Sequence, residues 1–128
     1  MKNLLVAAFL LFTSSAFAQQ MDCEKFKNGK FMIPDDGLGA SYIERNGDRQ
    51  VEYGEGSGLK LAFKVKWVNE CTYILTLSEV LENPNEIELV IGETLKVEII
   101  ETKASSYIQR STFPGVPESY ESEMFQTD

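Results

Sequence analysis

Apolar and polar residues alternate with a period of two along most of this chain, most regularly over residues 59–77. There Leu59, Leu61, Phe63, Val65 and Trp67 alternate with Lys60, Ala62, Lys64 and Lys66. After Val68-Asn69-Glu70 the alternation resumes, with Cys71, Tyr73, Leu75 and Leu77 set against Thr72 and Thr76. That period belongs to a β-strand with one face on a core and the other in water, so the stretch predicts a central hairpin. A short strand is expected over residues 30–33, stopped by Pro34, and a second hairpin over residues 40–45 and 49–53 around Asn46-Gly47. Asn-Gly is a strong signal for a tight hairpin turn. Tyr42, Val51 and Tyr53 are the inward residues expected of that hairpin, with Ile43 on the other parity.

Further along, Asn83-Pro84-Asn85-Glu86 offers a cap, a proline at the first helical position and a carboxylate three residues on, and Gly92 a terminator. These signals predict a short helix near 84–91, with a strand as the alternative because Ile87-Glu88-Leu89-Val90-Ile91 also alternates. Residues 94–102 alternate as a strand, residues 105–113 as another, and residues 118–125 as a last strand rich in glutamate. The expected fold is all-β: an antiparallel meander of seven or eight strands forming a small barrel or a sandwich, with at most that one helix.

The N-terminus changes the picture of where this domain resides. Lys2, the apolar run 4–12 and Ala16-Phe17-Ala18 form the three parts of a signal peptide cut after Ala18. Residues 19–128 then form a single β domain, exported through the Sec pathway to the periplasm or the medium. The apolar run is too short for a permanent membrane span, and no longer one follows. Cys23 and Cys71 are the only cysteines. An even pair in an exported chain reads as one disulfide, stabilising by about 4 kcal/mol for a loop of roughly fifty residues.

The chain has twelve basic residues, twenty acidic ones and no histidine. This balance opposes binding to nucleic acid or anionic membranes. Without histidine, the two cysteines make a poor metal set, and no nucleophile motif is present. Asp35-Asp36 lacks the ligand spacing of a calcium loop and reads as a turn, and the glycines at 54, 56 and 58 precede a strand rather than a phosphate-binding helix. Lys60, Lys64 and Lys66 read as the salt-bridged outer face of a sheet. No catalytic residue, metal site or cofactor is expected.

Eleven aromatic residues follow the signal peptide, and Tyr53, Phe63, Trp67 and Tyr73 are the candidates for lining a ligand site or filling the core. The pattern Cys23-x-x-Phe26-Lys27-x-Gly29-x-Phe31, then Ile43-x-Arg45, Gln50-x-Glu52 and Trp67-x-x-x-Cys71-x-Tyr73-x-Leu75, resembles a group of small exported β-strand proteins of Bacteroidetes. The resemblance runs to about Thr102 and implies a lipocalin-like meander, but brings no catalytic residues with it. Some members of the group carry a DNA topoisomerase IV name, which an acidic, exported chain of this length does not suit. The expected function is that of a monomeric, non-enzymatic domain binding a small apolar ligand. The alternative is a module docking a protein or envelope component through a sheet edge or the acidic C-terminal segment. A carboxylate hydrolase is the third reading.

Overall fold

The alternating stretches become strands, except Ile87-Glu88-Leu89-Val90-Ile91, which stays in a loop. A computed structural model describes residues 20–127, so the expected signal peptide lies outside the described residues. A 3-10 turn at Glu24–Phe26 precedes β1 (Gly29–Ile33), β2 (Ser41–Asn46), β3 (Arg49–Gly54), β4 (Lys60–Asn69), β5 (Thr72–Glu82), β6 (Thr94–Thr102), β7 (Ser106–Thr112) and β8 (Ser119–Gln126). Each strand pairs antiparallel with the next, and β8 returns to β1 to close a barrel. Closure decides between barrel and sandwich, and it leaves no free sheet edge among the described residues. An eight-stranded barrel is just wide enough to be filled by side chains or to hold one small ligand.

The expected helix near 84–91 does not form. Asn83 instead uses its side chain on the backbone of Ile87, accepting from its N–H at 3.0 Å and donating to its carbonyl at 2.8 Å. Such local side-chain bonds compete with a helical ladder. Glu86, at φ 51°, leaves the right-handed region altogether. The segment is an eleven-residue loop between β5 and β6, and β5 runs past Leu77 to Glu82.

The β2–β3 turn is also one residue away from the Asn-Gly expectation. Asn46 pairs with Arg49, so Gly47-Asp48 is the turn, with Gly47 at φ 63° in the first central position. Glycine occupies that position in type II′ hairpins.

Meander topology sorts the connections to two ends. At one end lie the tight β2–β3, β4–β5 and β6–β7 turns, and the 3-10 turn is tied to all three. Asn28 Oδ1 accepts from Gly47 N at 2.7 Å, Cys23 is bonded to Cys71 with Cα atoms 5.4 Å apart, and Lys25 Nζ donates to the Ala104 carbonyl at 3.2 Å. The expected disulfide therefore clamps a plug, and Phe26 at its centre is fully buried. This end of the barrel is shut.

The other end carries the longer connections: 34–40, 55–59, 83–93 and 113–118. Three of these loops are stitched together. Glu55 N donates to the Ala40 carbonyl at 3.0 Å and Asn85 Nδ2 to the Ser57 carbonyl at 2.9 Å. Gly39, at φ 91°, faces Gly56, where any Cβ would collide with the Leu38 carbonyl. We call this end the mouth.

Candidate functional site

The closed half of the barrel contains charge. Arg45 is 1% exposed, and its guanidinium is held by protein on every side. Nε donates to Gln50 Oε1 at 2.8 Å, Nη1 to the Phe26 carbonyl at 2.7 Å, and Nη2 to the Tyr73 and Tyr107 hydroxyls at 2.8 and 3.0 Å. The guanidinium also stacks over the Tyr73 ring, 4.5 Å from its centroid. Burial pulls the Arg45 pKa down, but the hydroxyls of Tyr73 and Tyr107 and the Glu52 carboxylate more than offset it, so the net shift is upward. The cation is permanent.

Two hydrogen-bonded arms run from Arg45 toward the mouth. In the first, Gln50 Nε2 donates to Glu52 Oε1 at 3.1 Å. In the second, Tyr73 and Tyr107 hydroxyls lie 3.0 Å apart, Tyr73 donates to Gln109 Oε1 at 3.3 Å, and Gln109 Nε2 donates to Ser122 Oγ at 3.1 Å. Since Tyr73 has a single hydroxyl hydrogen, Tyr107 must be the donor between the two tyrosines. Burial lifts the Tyr73 pKa far above the ordinary tyrosine range, with the Tyr107 hydroxyl adding to it, so the Tyr73 hydroxyl stays neutral. Among the described residues no buried side-chain nitrogen or oxygen lacks a partner. The network has two ends toward the mouth, the Glu52 carboxylate and the Ser122 hydroxyl.

Above this floor the packing changes. Phe31, Ile43, Val65, Leu75, Val97, Ile99 and Met124 in the closed half are buried. Ile33, Leu61, Phe63, Leu95 and Ser122, on the same inward parity but nearer the mouth, are only half-buried. Tyr120 pairs with inward Ser111 and is 58% exposed, with the Phe113 ring edge-on to it at 6.5 Å. Glu52 sits among them, paired across the sheet with Ile43 on one side and Leu61 on the other. Burial raises its carboxyl pKa, against the opposing pull of Arg45 and the Gln50 hydrogen bond. A groove of about 480 Å³ opens beside this region, lined by Ile33, Leu38, Ala40, Gly54 and Gly56 among others.

Of the four aromatic candidates, the structure brings three inside and leaves one out. Tyr73 is the hub of the floor, Trp67 is half-buried against it at the closed end with ring centroids 4.6 Å apart, and Phe63 lies on the inward wall above. Tyr53 is not inside the barrel: it is exposed on the outer wall, paired with Tyr42, and with Val51 it lines a surface groove there. The expected parity of the β2–β3 hairpin is therefore reversed. Ile43, Arg45, Gln50 and Glu52 point in, because the tyrosine hydroxyls and Phe26 carbonyl inside the barrel satisfy the arginine.

Sequence reasoning by hydrophobicity missed these polar residues, although the pattern Ile43-x-Arg45 and Gln50-x-Glu52 carries their two-residue spacing. Paired polar residues at that spacing, together with Tyr73 and Tyr107 to receive them, were the available signal. The lysine stripe also departs from expectation. Ion pairs among the described residues join Arg49 to Glu79, Lys96 to Glu98, Lys103 to Glu123, Arg110 to Glu121 and Lys27 to Glu24, and none involves Lys60, Lys64 or Lys66. Asp35 behaves as the expected turn residue, its Oδ1 accepting from the N–H groups of Gly37 and Gly39, each at 2.8 Å.

Comparison with protein-family models, with curated proteins and with solved structures finds no match to this chain. The disulfide suits an oxidising, exported compartment. Among the described residues no helix is long and apolar enough to cross a membrane.

Proposed function

We propose that this is an exported, non-enzymatic binding domain that takes one small, mainly apolar ligand into the mouth half of its barrel. The observation that carries the reading is the set of inward residues left half-buried toward the mouth, Ile33, Leu61, Phe63 and Leu95, although Leu77 and Ser111 beside them are buried. Side chains on an inward parity normally fill a barrel of this size, and a retained exposed stretch inside it is the usual form of a ligand site. The apolar rim agrees: Leu38, Val90, Ile91 and Val116 are all exposed around the mouth. The disulfide and plug keep the opposite end shut, so the ligand has one way in.

Titration with Nile red, an uncharged apolar dye, tests this. Saturable binding of one dye per chain is expected, and Leu61→Trp, which fills the mouth half, should weaken it about tenfold or more. Tyr53→Ala on the outer wall should leave binding unchanged. Absence of saturable binding, or equal loss from both substitutions, would refute a site in the lumen.

A further inference from the structure

We infer that the ligand is a cationic amphiphile, a hydrocarbon body with an ammonium head that descends to Glu52. The inference rests on the lumen reading above and adds the chemistry of the head group.

Three observations lead there. First, Glu52 is the only charged end of the floor network, the other arm ending on the neutral Ser122 hydroxyl. Its Oε1 receives Gln50 Nε2 at 3.1 Å, and no hydrogen bond among the described residues uses Oε2. That oxygen is not among the sealed, partnerless atoms either, so it is open to a probe from the half-buried region around it. Second, the countercharge is out of reach. Arg45 is sealed beneath the floor with its donors spent on Gln50, Phe26, Tyr73 and Tyr107, so the lumen presents the carboxylate and not the guanidinium. An anionic head would meet Glu52 with nothing to pair with. Third, the approach is acidic. The four mouth loops carry Asp35, Asp36, Glu55, Glu86, Glu88, Glu93 and Glu118, all exposed, and no lysine or arginine. On the adjoining strands Lys96 is paired to Glu98 at 3.2 Å, and Lys60 shares the outward face with Tyr53. A rim of one sign raises the local concentration of the opposite one and repels its own. Half-buried Leu61 pairs directly with Glu52 on the inward wall and half-buried Phe63 follows two residues deeper beside Gln50, which supplies apolar surface at the carboxylate for the hydrocarbon part.

An ammonium at Glu52 Oε2 would give a carboxylate that holds only the Gln50 hydrogen bond a desolvated, hydrogen-bonded ion pair. Such pairs are the stronger class of hydrogen bond. A neutral alcohol could donate one hydrogen bond there without the charge. A carboxylate could donate none.

The test is competition for bound Nile red by three probes of one chain length, decylammonium, decanol and decanoate, on the full exported chain. Decylammonium should bind most tightly and decanoate about tenfold or more weakly, a gap that narrows as salt is added. Glu52→Gln, which keeps the hydrogen bond from Gln50, should collapse the preference of decylammonium over decanol. Equal displacement by all three, a preference for decanoate, or Nile red that none of them displaces overturns the ammonium inference while the lumen stands. Failure of Nile red itself to bind removes the lumen and this inference together. The probe series in the unmodified protein decides the matter even where the variant does not fold.

Discussion

Arg45 shows how one polar residue can organise a hydrophobic interior. A guanidinium inside a barrel is tolerated only because four acceptors meet it, and each acceptor in turn relies on it. Arg45→Met keeps much of the volume but strands the Tyr73 and Tyr107 hydroxyls, Gln50 Oε1 and the Phe26 carbonyl. We expect a loss of about 3 to 5 kcal/mol in urea unfolding; a loss below about 1 kcal/mol would show that water or rearrangement satisfies them. Glu52 has the opposite signature. Its carboxyl pKa is raised in the fold, so between the ordinary glutamate range and the raised value the native state holds more protons than the unfolded chain. Its contribution to stability is therefore lost as pH rises through that window. Unfolding midpoints of the wild type and Glu52→Gln, compared from about pH 4 to about pH 7, should shift in favour of the variant toward neutrality. Parallel curves would contradict the buried placement of this carboxyl.

Among the elements, the 3-10 plug has the least secondary structure and the most connections. Three residues long, it makes no ladder of its own, yet Lys25 within it and Cys23 and Asn28 on either side reach the three hairpin turns of its end. The Cys23–Cys71 bond spans 48 residues, for which chain entropy gives about 4 kcal/mol. Replacing both cysteines by serine should lower stability by roughly that amount. Hydrogen exchange should then report the loss first in the plug and the β4–β5 turn. Uniform loss across all eight strands would mean that the plug and barrel open as one unit.

For the whole molecule, closure and charge act together. The barrel pairs β8 with β1 through Met32 and Phe125 and through Phe31 and Gln126, and so removes the edge through which a sheet would recruit another chain. The acidic C-terminal segment is part of that wall. Glu121 is paired with Arg110, and Glu123 with Lys103 and the Ser106 hydroxyl, whose hydrogen bond holds the Glu123 carboxyl below its usual range. The four mouth loops add seven exposed acidic residues and no basic one.

Most strands were legible in the sequence because a period of two needs only local alternation. β6 was bounded to the residue and β1–β4, β7 and β8 nearly so, while β5 runs five residues past its expected end at Leu77, and the cysteine pair announced its own bond. The helix near 84–91 failed for a local reason, since a cap signal does not say whether Asn83 will start a helix or fold back on Ile87. The site failed for a global one. Alternation along β2 and β3 identifies two faces, but Tyr42 with Tyr53 and Ile43 with Glu52 are each a consistent face. Choosing between them depends on partners far along the chain, Tyr73 and Tyr107, which lie 28 and 62 residues from Arg45. Sequence by itself determined the strands, the meander and the disulfide, whose causes are near neighbours and a single cysteine pair. Only the tertiary structure decided which face is inside, that the barrel closes, and that a carboxylate stands at the floor of its open half, because each of these is a contact made across the barrel.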